Sequence, residues 1–218
     1  MRHPVGRLTL VALSFAAPST ALAYDEAVSG DLSNNASAPT PLAFSLGNNT
    51  VAGSATTSAP GDTRDFITFT IASGQQLVAL RLMSYLDLPS GNPGNTGFHA
   101  INAGATSFVP GPATEANFLG GDHVFPVPAG GTDLLPELSD GDTAGTGFSV
   151  PLGPGTYSYV IQQTGPQTSG YDLQFVIGAA SATAVPASSP STTVVLAGLL
   201  AAVGLVMSRR IRKADPRR

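Results

Sequence analysis

Cysteine is absent from the sequence, which removes disulfides, thiol nucleophiles and thiolate metal sites together. Basic residues are nearly absent from its middle. Between positions 24 and 184 thirteen Asp and Glu stand against Arg64 and Arg81 alone, a net charge of −11 that the basic C-terminus reduces to −4 for the whole chain. A surface of that sign repels nucleic acid and admits cations, neutral glycans or a basic partner. The familiar catalytic signatures are missing as well: there is no Gly-x-Ser-x-Gly elbow and no His-Glu-x-x-His. No complete twelve-residue calcium loop and no internal repeat of 20–50 residues occurs. Few charges with abundant Gly, Ser, Thr, Asn and Pro argue for strands joined by turn-rich loops rather than helices.

What is present begins at the two ends. Residues 1–23 carry Arg2 and Arg7, an apolar core at 8–17, and Ala21-Leu22-Ala23 ahead of Tyr24. That is the layout of a secretory signal peptide, with signal peptidase expected to cut between Ala23 and Tyr24. At the other end, 178–193 reads as a flexible linker holding Val185-Pro186, followed by an uninterrupted apolar run of 14 residues at 194–207. The run makes about 21 Å of helix against a hydrocarbon core of roughly 30 Å. With Ser208 and snorkelling arginines it reaches the short end of a span, so 194–208 is expected to be a transmembrane helix. Arg209, Arg210, Arg212 and Lys213 then predict 209–218 in the cytoplasm and 24–177 outside it.

A Val-Pro lead, a short hydrophobic helix and an Arg-rich end together resemble the PEP-CTERM sorting signal of bacterial exported proteins. The resemblance implies recognition by an exosortase-type enzyme, cleavage near Val185 and Pro186, and delivery to the cell surface or an exopolysaccharide matrix. Ala187 and Ser188 stand where that family's Val-Pro-Glu-Pro motif has Glu and Pro. The plainer alternative is a C-terminal anchor that is never cleaved.

Between the signals, 24–177 has the length of one domain. Residues 24–41 read as a polar surface segment with at most one edge strand. Positions 44–46 and 50–53 are weak strand candidates, parted by a turn at Gly47-Asn48-Asn49. In 65–71, Ile67, Phe69 and Ile71 alternate with Thr68 and Thr70, the period-two pattern of a half-buried strand. After a turn at Ser73-Gly74, 76–85 alternates again with Val78, Leu80 and Leu82 on one side. Strands are also expected at 97–103, at 155–164 through Tyr157, Tyr159 and Ile161, and at 171–177 through Tyr171, Leu173, Phe175 and Ile177. Residues 104–148 lack clear periodicity, and short strands or a variable loop region both fit them. The fold class is therefore all-β, an antiparallel β-sandwich with a jelly-roll arrangement left open. The stretch 49–77 and the later Gly155-Thr156-Tyr157 and Tyr171-Asp172-Leu173 resemble bacterial pre-peptidase C-terminal domains, which implies a β-sandwich accessory module.

Candidate chemistry is sparse. His99 lies in an expected strand, and His123 follows Asp122 in a Gly-rich loop; an Asp–His pair can orient a general base, but adjacency in sequence says little about geometry. Asp62/Asp65 and Asp140/Asp142 are short-spaced carboxylates that suit a hard cation, and a structural calcium is the one cofactor they leave open. Turn-forming Asp explains each pair more simply. Tyr157, Tyr159 and Tyr171 occupy core-patterned positions rather than a sugar-stacking platform. Asn35-Ala36-Ser37 and Asn48-Asn49-Thr50 match the glycosylation sequon, a short and permissive pattern. The expected protein is a non-catalytic, exported structural or adhesive protein of the surface or matrix, with the membrane, signal peptidase, an exosortase-type enzyme and exopolysaccharide as its partners. A glycan-binding or glycan-active module on the same scaffold is the alternative.

Overall fold

Alternating apolar residues build two five-stranded sheets. The computed structural model describes residues 21–57, 62–88, 96–125 and 131–181. In chain order these form β1 (Ala21–Asp25), α1 (Glu26–Ser29), β2 (Thr40–Pro41), β3 (Gly47–Thr56), β4 (Arg64–Ile71) and β5 (Gln75–Leu88). There follow β6 (Gly97–Ala103), a 3-10 turn (Glu115–Asn117), β7 (Gly120–Val124), β8 (Thr132–Asp133), α2 (Leu135–Asp140), β9 (Gly155–Gln163) and β10 (Thr168–Ala179). One sheet has the order β1-β3-β10-β5-β8 and the other β2-β4-β9-β6-β7. The chain is thus mostly β, as expected.

The sheets are mixed rather than purely antiparallel. β1 runs parallel to β3, and β2 parallel to β4. Both parallel strands come from the N-terminal segment and are reached through α1 and loops, not through tight hairpins that would impose antiparallel pairing. That segment is also more than a surface strap, because Leu32 is only 2% exposed and Leu42 9%.

One apolar cluster takes side chains from both sheets. Ile67, Phe69 and Ile71 of β4 and Tyr157, Tyr159 and Ile161 of β9 meet Leu80 and Leu82 of β5 and Leu173, Phe175 and Ile177 of β10. Phe175 sits at its centre, with ring centroids 4.8 Å from Phe44, 5.4 Å from Phe69 and 5.5 Å from Tyr159. The opposite face of β4, β6 and β9 forms a second cluster, in which Phe66, Phe98 and Val160 are covered by Ala36, Phe118 and Ala144.

β5 departs from the expected phase. Its pairing with β10 slips between Asp172 and Leu173 and again between Val176 and Ile177. Each bulge adds a residue to β5 and flips the faces beyond it. Leu77, Leu80, Leu82 and Tyr85 therefore point inward while Val78 is 37% exposed, which corrects the inward placement of Val78. The expected turn at Gly47-Asn48-Asn49 is corrected too, because these residues open β3, and Phe44 and Leu46 lie outside any strand. Asn49 is 1% exposed; its amide donates to the carbonyls of Ser45, Gly47 and Phe175 while its Oδ1 accepts from Ser45 N, so it staples the preceding loop to the strand.

The stretch 104–148 holds β7, β8, the 3-10 turn and α2. β10 continues to Ala179, into the stretch read as linker, and Ala180 N still donates to Gly74 O. Among the described residues no helix is long and apolar enough to cross a membrane. Most of the expected signal peptide, the helix at 194–208, Val185, Pro186, Arg209, Arg210, Arg212 and Lys213 lie outside the described residues.

Candidate cation-binding site

At one side of the molecule, where β3 of one sheet and β4 of the other come under the N-terminal segment, four carboxylates gather. Asp25 caps α1 by accepting Ala27 N at 2.9 Å, which fixes the turn that carries Glu26. β1 pairs with β3 only as far as Ala52, and beyond it Glu26 Oε2 accepts Ser54 N at 2.8 Å. Its Oε1 accepts Leu32 N at 3.1 Å, bringing the next stretch, with Asp31, alongside. Phe66 N donates to Ser33 O and holds the same stretch against β4.

β4 supplies the buried member. Asp65 is fully buried, and its Oδ2 accepts the Tyr171 hydroxyl at 2.7 Å. Its Oδ1 is shielded from solvent and accepts no N–H or hydroxyl, and the same holds for both oxygens of Asp62, so the two carboxyls are left to share a proton with each other. One oxygen each from Glu26, Asp31 and Asp65 lies within 4.8 Å of the others. Arg64 does not neutralise the group: its Nε donates to Gln162 Oε1 at 2.9 Å and its Nη1 to Thr63 Oγ1. Gly53 makes room for the arrangement, since a Cβ there would lie 2.6 Å from Glu26 Cδ and collide with the Tyr171 hydroxyl.

Crowded, desolvated carboxylates hold their protons. Burial, with the charge of Glu26, pushes Asp65 up to about 9. Burial and the charge of Asp31 push Asp62 up to about 6. Burial raises Glu26 as well, against the two backbone N–H groups that favour its charged form. Ionising the cluster without compensation is costly, so either protons or a bound cation must balance it. The donors are oxygens alone, the set that suits calcium and magnesium rather than the softer transition metals. The open side at Asp31, which is exposed, leaves access for a cation and its remaining waters.

The other sequence candidates are not brought together with this cluster. His99 of β6 is fully buried, its Nδ1 2.8 Å from the Tyr159 hydroxyl and its Nε2 without a partner. Burial pushes it down to about 3, so it is a neutral core histidine. His123 lies in β7 rather than in a loop and packs its ring on Phe98 at 5.4 Å. Asp122 Oδ1 accepts His123 N and the Thr143 hydroxyl, contacts that hold β7 to the following loop. Asp140 and Asp142 are exposed and form a local turn, Asp142 N donating to Asp140 Oδ1. Tyr157, Tyr159 and Tyr171 are buried. Ala23 and Tyr24 lie within β1, and the Tyr24 hydroxyl donates to Gly30 O at 3.0 Å. Asn35 is exposed in a turn, whereas Asn48 is part of β3.

Of the cluster, the Asp62/Asp65 pair was visible as spacing. Glu26 and Asp31 were not, because no short-range pattern announces that the N-terminal segment returns to β4. The sequence matches no protein-family model and no curated protein.

Proposed function

We propose that the chain is an exported, surface- or matrix-associated, non-catalytic structural or adhesive protein whose domain is clamped by a divalent cation of the calcium class. The observation that carries the cation is Asp65: a fully buried carboxyl with one oxygen that accepts no N–H or hydroxyl, within 4.8 Å of oxygens of Glu26 and Asp31. Glu26, Asp31, Asp62 and Asp65 would hold the ion. Once bound, it would replace the proton that Asp65 otherwise keeps and tie the N-terminal segment to β4 and β10. Weak calcium sites of 10⁻⁴–10⁻³ M affinity are characteristic of extracellular modules, which agrees with the signal-peptide layout of 1–23.

The finer fold in this proposal is a β-sandwich accessory module, supported by the apolar cluster that both sheets share. Delivery rests on the Val185-Pro186 lead, the apolar run at 194–207 and the basic end, which resemble a PEP-CTERM signal. The membrane, signal peptidase, an exosortase-type enzyme and exopolysaccharide are then its partners. Native mass spectrometry of protein recovered from its host tests both halves at once. The proposal expects a chain that begins at Tyr24, ends within 185–191 and carries a calcium adduct removed by chelator. A chain still ending at Arg218 contradicts the sorting half, and a chain with no metal adduct at millimolar calcium contradicts the clamp.

A further inference from the structure

Away from the carboxylate cluster, the edge strands β7 and β8 part beneath α2 and leave a pocket of about 330 Å³. Its buried walls are Leu82, Val124, Leu134 and Leu138, all members of the main apolar cluster, so the pocket opens onto the core. Its exposed members are His123, Phe125, Thr132 and Glu137, with the half-buried Asp122 beside them. Phe125 is 65% exposed beside this apolar hollow. No Lys or Arg is among the lining residues.

We propose that this pocket binds a small organic ammonium ion carrying an apolar body, of the arylalkylamine kind. The volume lies at the lower end of the range for small-molecule sites, and such sites pair apolar walls with a few placed polar groups. Here the walls desolvate the body, and the two carboxylates at the opening, Asp122 and Glu137, stand beside His123 and Thr132. Two carboxylates and an exposed aromatic face are the groups that recognise an ammonium, the carboxylates by charge and the ring through its quadrupole. A carboxylate ligand of the same shape meets repulsion from Asp122 and Glu137. A neutral one forgoes the charge-assisted contact with the acids. The assignment does not depend on the cation clamp, which is built from other strands.

The test uses the full chain in lipid nanodiscs with labelled Leu, Val and Ala methyl groups, titrated separately with phenethylamine, phenethyl alcohol and phenylacetate. Saturable shifts are expected at the methyls of Leu82, Val124, Leu134 and Leu138 with phenethylamine. The alcohol should bind about tenfold more weakly, as losing one charge-assisted contact implies, and phenylacetate not measurably. The variant Glu137→Gln with Asp122→Asn, which keeps the acceptor for Thr143, should bring the amine down to the alcohol's affinity. Equal binding of amine and alcohol, an unchanged amine affinity in the double variant, shifts centred on Ala27 and Leu32 instead, or no saturable shift at the four residues each overturn the assignment.

Discussion

The Tyr171 hydroxyl donates a 2.7 Å hydrogen bond to Asp65 Oδ2 across 106 residues of sequence, joining β10 of one sheet to β4 of the other. Both residues are buried, and among the described residues this is the one hydroxyl or N–H bond that Asp65 accepts. Replacing Tyr171 by Phe leaves a second oxygen of Asp65 unpaired. The expected cost is about 1–3 kcal/mol, the penalty for an orphaned buried acceptor. Urea unfolding in the presence of chelator measures it, and a change under 0.5 kcal/mol would mean the bond does not form in solution.

Two carboxyls and a buried histidine make stability depend on pH in opposite directions. Asp65 and Asp62 keep their protons in the fold up to about 9 and about 6, against an ordinary value of 3.8. Their contribution is complete below 3.8 and is lost as pH rises through those values. His99, pushed from 6.5 down to about 3, contributes fully above 6.5 and less as pH falls toward 3. Above 6.5 only the carboxylate effect of Asp65 remains. The metal-free protein is therefore expected to lose thermal stability steadily between pH 6.5 and 9, and saturating calcium to remove most of that loss. A melting temperature that stays level or climbs over this range without metal contradicts the assignment.

Gly53 is a space requirement rather than a backbone one. The Gly53→Ala methyl must displace Glu26, 2.6 Å from its Cδ, or the Tyr171 hydroxyl. Overpacking of this kind costs about 1–3 kcal/mol. Calcium affinity should fall at least tenfold alongside it, since both residues organise the carboxylates. Calorimetric titration of the variant reads the second effect, and wild-type affinity would show that the site tolerates the shift.

Phe175 holds the aromatic centre of the shared core through Phe44, Phe69 and Tyr159. Its replacement by Ala should cost about 3–5 kcal/mol, the range for a buried aromatic. Because Phe175 is remote in role from the carboxylates, chelator should destabilise the variant and the parent by the same amount. Strong coupling between the two would place the core and the clamp in one cooperative unit.

Most of the sheet was legible wherever burial is one-sided and uninterrupted. Ile67, Phe69 and Ile71, or Tyr171 through Ile177, alternate because each strand presents one face to a common core. β5 was legible as a strand but not in phase, since two bulges move Leu77, Leu80, Leu82 and Tyr85 out of strict alternation. Asn49 looked like a turn residue because its role, three amide hydrogen bonds to backbone carbonyls, depends on β10 reaching it from 126 residues away. The cluster was half legible for the same reason. Asp62 and Asp65 are close in sequence, while Glu26 and Asp31 reach them only once the N-terminal segment has docked along both sheet edges. Gly53 carries no local signal at all, because what it makes room for lies on other elements.

Calorimetric titration of calcium into the metal-free full chain, beside the Asp65→Asn variant, decides whether the four carboxylates form a cation clamp. Saturable binding of one calcium is expected, with release of protons at pH 7 as Asp65 gives up its own, together with a higher melting temperature. Asp65→Asn should bind at least tenfold more weakly. Absence of saturable binding at millimolar calcium, or equal affinity in parent and variant, would contradict it.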